Sequence, residues 1–196
     1  MTQLALVQKT PVFLDKQKTI ELAVASAEEA AANGAELVVF TECFIAGYPA
    51  WIWRLRPGTD WGVSEELHQR LLHNAVNIDS DDLTPLFEVA RKHELTIVCG
   101  IEERDNRLSQ STLYNTVITI GPDGSLLNKH RKLMPTNPER MVWGFGDATG
   151  LKVVETSAGR IGSLLCWENF MPLARYALYS QGVEIYIAPT YDSGDN

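Results

Sequence analysis

The 196-residue sequence contains no uninterrupted apolar run approaching the roughly 20 residues of a bilayer-spanning helix, so no membrane partner is expected. Basic residues are sparse. Seventeen Lys and Arg stand against 25 Asp and Glu, a net charge of -8, and the longest basic stretch is Lys129-His130-Arg131-Lys132. That balance argues against nucleic acid as a partner. Cysteine is scarce as well: Cys43, Cys99 and Cys166 form an odd set at wide spacings, which suits neither a disulfide framework nor a structural zinc site and fits a reducing compartment. His68, His73, His93 and His130 are scattered, and the first two are five apart, which puts their rings on different helix faces; all four read as surface or capping groups. Gly-x-Gly-x-x-Gly and Walker loops, internal repeats, linkers and low-complexity stretches are all missing. The chain starts on a strand-like pattern, with no basic segment followed by a long apolar one, so a cytoplasmic location is expected.

What is present is a substantial apolar fraction, 45%, in a length suited to one domain over residues 1–196. Apolar runs bounded by turn residues predict strands at 4–7, 37–40, 95–99, 116–120, 125–127, 153–155, 161–165 and 184–188. Helices are predicted at 15–32, stopped by Asn33-Gly34, at 64–76, at 82–93 and at 168–179. Strands alternating with helices define an α/β class. The tight-turn sequence Gly121-Pro122-Asp123-Gly124 and the turn at Ser157-Ala158-Gly159 add hairpins, so the sheet is expected to be mixed rather than wholly parallel.

Three ionisable side chains stand at the ends of apolar strands. Cys166 occupies the turn between the 161–165 strand and the following helix, where unpaired helix amides would favour its thiolate and make it a nucleophile. Glu42, in Phe40-Thr41-Glu42-Cys43-Phe44, and Lys132, in His130-Arg131-Lys132-Leu133-Met134-Pro135-Thr136, hold equivalent strand-end positions. Taken singly, each has a plainer reading: a buried cysteine packing as a small hydrophobe, a solvated carboxylate, a member of a basic cluster. Their joint occurrence favours a site. Cys99 lies inside an apolar strand and reads as core filling; Cys43, on the opposite strand face from Glu42, reads as structural. The aromatic stretch Tyr48-Pro49-Ala50-Trp51-Ile52-Trp53, with Trp61 after it, fits a pocket wall and equally a subunit contact or a loop over the sheet edge. Pro189-Thr190-Tyr191-Asp192 follows a strand and is expected to line the site opposite Cys166.

With these residues placed, the chain resembles the nitrilase superfamily, the carbon-nitrogen hydrolases with a Glu-Lys-Cys triad. The resemblance runs from Leu4 to Asp195. Its nitrilase branch is suggested by Cys166-Trp167-Glu168-Asn169-Phe170-Met171-Pro172-Leu173, by Arg131-Lys132-Leu133-Met134-Pro135-Thr136 with Glu139-Arg140 following, and by Gly47-Tyr48-Pro49. The resemblance implies an α-β-β-α sandwich of two mixed sheets with outer helices. It also implies about a hundred further residues beyond Asn196, so the fold is expected to be C-terminally incomplete, with apolar sheet surface uncovered. Glu139 matches a second family glutamate that positions Lys132 and helps order the substrate.

The implied reaction converts an organic nitrile and water to a carboxylic acid and ammonia. Cys166 is the expected nucleophile and Glu42 the general acid and base. Lys132, too basic for a general base, has the electrostatic role, with the Trp167 backbone N–H as a second donor. Tyr48, Trp53, Thr190 and Tyr191 are the expected substrate contacts. No metal or organic cofactor is expected, and a homo-oligomer, dimer or larger, is. The competing expectations are a cyanide-processing or amidase relative with the same triad, and an inactive fragment or interaction module.

Overall fold

The computed structural model describes residues 2–56, 58–107 and 109–192, so Ser193, Gly194 and Asp195, at the end of the expected resemblance, lie outside the described residues. Strands β1 (Leu4–Val7), β2 (Leu37–Phe40), β3 (Thr96–Arg104), β4 (Leu113–Ile120) and β5 (Leu126–Arg131) form one sheet in that order. The first three are parallel, and the β3–β4 and β4–β5 pairs are antiparallel. Helix α1 (Lys16–Ala32) makes the β1–β2 crossover, and α2 (Trp61–Asn74) and α3 (Thr84–His93) lie between β2 and β3. A second sheet orders β6 (Val154–Thr156), β7 (Gly159–Ser163) and β8 (Ile185–Ile187), with helix α4 (Pro172–Tyr179) between β7 and β8. Both sheets are mixed, as the hairpin and crossover signals require.

Local chemistry sets these elements. Asp15 caps α1 by accepting from the Lys18 N–H at 3.0 Å, and Asn33 with left-handed Gly34 ends it. β3 is longer than its apolar run because Glu102, Glu103 and Arg104 continue the ladder; β5 likewise extends through charged Lys129-His130-Arg131. Cross-strand partners hold these polar residues in place, a feature that apolar patterning does not register.

The layers follow from which faces are apolar. Ile20, Ala23 and Ala27 of α1 and Leu86, Val89 and Ala90 of α3 pack on one side of the first sheet, against Val38, Ile97, Cys99 and Ile118. Its other side presents Leu37, Val39, Val98 and Val117 to Ile161, Leu165 and Ile187 of the second-sheet region. Ala174 and Leu178 of α4 cover the far side with Leu164. The architecture is therefore the α-β-β-α sandwich. At one margin, Leu4, Leu6, Val39, Ile185, Ile187 and Pro189 line an open groove between the sheets, and Leu6 is 66% exposed. No helix among the described residues is long and apolar enough to cross a membrane.

Candidate active site

The carboxylate, the ammonium and the thiol approach from three different chain segments. β2 ends at Phe40, and the chain turns at 41–44 across β3, where Gly100 leaves room for it. A Cβ on Gly100 would press on the Thr41 carbonyl and sit 2.6 Å from Cys43 N and 2.8 Å from Glu42 Cα. Cys43 takes left-handed φ 49 in this turn, so it does not occupy the opposite face of a strand as expected; it is buried with Leu14, Tyr48 and Trp143. Cys99, as expected, fills the core.

Lys132 directly follows β5, where alternation splits the basic cluster. Lys129 and Arg131 turn to Glu103, at 2.9 and 2.6 Å, while His130 and Lys132 turn inward. The Lys132 ammonium, 1% exposed, donates to Glu42 Oε1 at 2.9 Å and to Glu139 Oε2 at 2.8 Å. Burial works against its charge, but Glu42 and Glu139 outweigh that, so its pKa is raised and it stays an ammonium. Glu139 sits in a short 3-10 turn, Asn137–Met141, where its Oε2 also accepts from the Thr136 N–H at 2.6 Å. Tyr48 donates its hydroxyl to Glu139 Oε1 at 2.7 Å and accepts from Trp53 Nε1 at 2.9 Å.

Glu42, 2% exposed, accepts from Lys132 and from Asn115 Nδ2, at 2.8 Å, on Oε1, and from the Tyr191 N–H, also at 2.8 Å, on Oε2. Burial raises its pKa, and Lys132 opposes that rise. A carboxylate with a raised pKa takes up and returns protons more readily than a solvated one.

Cys166 has φ 48, left-handed and costly for a residue with a Cβ, and opens a 3-10 turn, Cys166–Phe170. Helix α4 starts only at Pro172, later than predicted, so the expected helix N-terminus is not at the sulfur. Burial, then the Glu42 charge, push the thiol up to about 12, with Lys132 pulling the other way and the Trp167 backbone N–H pulling down least. Burial and the neighbouring carboxylate thus favour the thiol over the thiolate expected of a helix start, because one backbone amide does not offset them.

A cavity of about 480 Å³ opens over these groups, lined by Tyr48, Trp53, Glu139, Cys166, Trp167 and Tyr191 among others. Glu42 and Lys132 lie behind its wall. Tyr48 and Tyr191 stack with centroids 4.1 Å apart and planes 2° from parallel. Thr190 is not brought in: it is exposed, bonds its hydroxyl to the Ala188 carbonyl and lines the groove between the sheets instead. Trp61 begins α2 and faces a separate groove with Trp51, Ile52 and Leu55. His130, expected at the surface, is fully buried against Glu168. Asn115 and Glu168 were not anticipated either; the available signal was a polar residue inside an apolar strand and a carboxylate inside the Cys166 turn. Among the described residues no cluster of His, Cys, Asp and Glu could hold a metal ion.

Residues 3–195 match the carbon-nitrogen hydrolase family, and the chain belongs to it. It is 43% identical over 195 residues to the bifunctional nitrilase/nitrile hydratase NIT4A of Lupinus angustifolius, covering 95% of this chain and 53% of that protein. Nitrilase 1 of Arabidopsis thaliana is 42% identical over 194 residues, covering 97% and 54% respectively. The chain thus spans about half the length of the curated relatives it matches. In fold it is similar to Saccharomyces cerevisiae Nit3, a member of branch 10 of the nitrilase superfamily, with TM-score 0.77 and 23% identity over 98% of this chain and 65% of that one.

Proposed function

We propose that these residues carry out nitrile hydrolysis, yielding a carboxylic acid and ammonia. The observation that carries the reading is a buried ammonium held between two carboxylates beneath a cavity whose wall includes a cysteine. Two relatives above 40% identity bear nitrilase names, which supports the same reaction class. Glu42 accepts the Cys166 proton as the sulfur bonds to the nitrile carbon, and the proton passes to the nitrogen, giving a thioimidate. Water then adds with its proton going to Glu42. Loss of ammonia, protonated by Glu42, leaves a thioester, which a second water converts to acid and free thiol. If the same tetrahedral intermediate expels the thiolate instead, the product is an amide. Lys132 and the Trp167 N–H stabilise developing negative charge, and Glu139 holds Lys132 in place.

Replacing Cys166 with Ala is expected to abolish both turnover and acyl-enzyme formation, checked by ammonia release and intact mass. Persistent hydrolysis would remove the sulfur from the mechanism. Ammonia from nitriles but not from matching amides separates this reading from an amidase. The aromatic lining supports aryl nitriles as substrates. Trp53→Ala is therefore expected to lower the rate ratio of benzonitrile to an aliphatic nitrile by roughly tenfold; an unchanged ratio assigns Trp53 to packing.

A further inference from the structure

Glu168 is two residues from the nucleophile, yet it is 1% exposed and is not among the residues that line the cavity. Its Oε2 accepts from the Leu165 N–H at 2.7 Å and its Oε1 from the Leu133 N–H at 2.7 Å. His130 Nε2 lies 3.1 Å from both oxygens, as a donor to the carboxylate. Leu165 is covalently joined to Cys166, and Leu133 to Lys132. The described backbone hydrogen bonds of those two residues run elsewhere: Cys166 N–H to the Pro189 carbonyl, Lys132 N–H to the Asn115 carbonyl. One planar group therefore grips the Leu164–Leu165 peptide, one residue ahead of the thiol, and the Lys132–Leu133 peptide that carries the ammonium's residue.

We infer that Glu168 is a positioning residue that sets the separation of Cys166 and Lys132 by clamping the backbone near each. The role in turnover rests on the nitrilase reading above; the clamp itself does not. Both oxygens must accept. A glutamine at 168 would offer one acceptor and turn an NH2 toward the other amide, releasing one segment. A 1 Å displacement of reacting groups costs about 100-fold in rate. His130 contributes the third donor only, so its loss leaves both backbone grips in place.

The test compares E168Q and H130Q on benzonitrile, with thermal unfolding of each. E168Q is expected to lose about 100-fold in kcat with KM unchanged. H130Q is expected to unfold at lower temperature yet keep most of its kcat. That split between rate and stability is not what general destabilisation produces. An E168Q protein with wild-type kcat overturns the inference, as does H130Q losing kcat as deeply as E168Q. Amide hydrogen exchange on the unsubstituted chain gives a second readout, needing neither a folded variant nor turnover. Leu133 and Leu165 N–H should be slow and open with the same free energy, because one carboxylate holds both; free exchange of either overturns the clamp. A chain that hydrolyses no nitrile but shows matched protection sinks the proposed reaction and leaves the clamp standing.

Discussion

Glu102 is fully buried behind the site, where Trp143 Nε1 donates to its Oε2 at 2.6 Å, and burial raises its pKa from 4.5 to about 8. It is thus a neutral acid at pH 7, and among the described residues it has no cation beside it of the kind that Lys132 provides for Glu42 and Glu139. A folded-state pKa above the unfolded one means that the native state binds the extra proton. Stability from this group is full below pH 4.5 and falls as pH rises toward about 8, at up to roughly 1.4 kcal/mol per pH unit. Glu102→Gln is expected to remove that slope while keeping an acceptor for Trp143. Urea unfolding of both proteins at several pH values in that window checks it, and parallel curves would refute it. The sequence marked Glu42, Lys132, Cys166 and Glu139 because each sits in a short motif. It did not mark Glu102 or His130, because whether a polar side chain is buried depends on partners distant in sequence.

At the level of elements, the site depends on the turn after β2 crossing β3 in close contact. Gly100 permits this, since a methyl group there would collide with the backbone of Thr41, Glu42 and Cys43. Gly100→Ala is expected to cost about 1–3 kcal/mol by overpacking, and to cut turnover further by moving Glu42. Melting temperature and nitrile turnover measured together test this; a variant with both intact would mean the turn yields without moving the carboxylate. β5 makes the complementary point. Read linearly, Lys129-His130-Arg131-Lys132 is a basic cluster, but the pleat sends Lys129 and Arg131 to Glu103, and His130 and Lys132 toward Glu168, Glu42 and Glu139. The predicted strand there was too short because its charged residues break the apolar pattern, while the ladder to β4 holds them extended.

Across the whole molecule, an apolar stripe remains open on the turn and helix that follow Cys166. Trp167, Phe170, Leu173, Tyr176 and Tyr179 are all exposed, Leu173 at 83%. Exposed aromatic patches of this kind favour association, and this one adjoins the Cys166 turn. Leu173→Glu is expected to lower the light-scattering mass toward the 21.8 kDa of one chain. An unchanged mass would place any subunit contact elsewhere.

The sequence by itself determined the α/β class, the mixed sheets and the strand-end motifs, because apolar periodicity, turn residues and short motifs are local and survive linear reading. Tertiary structure alone decided the state of the thiol, the burial of His130, the exclusion of Thr190 from the cavity and the grip of Glu168 on two distant peptides. Each of these depends on desolvation and on hydrogen bonds between segments far apart in the chain, and those exist only once the two sheets have packed.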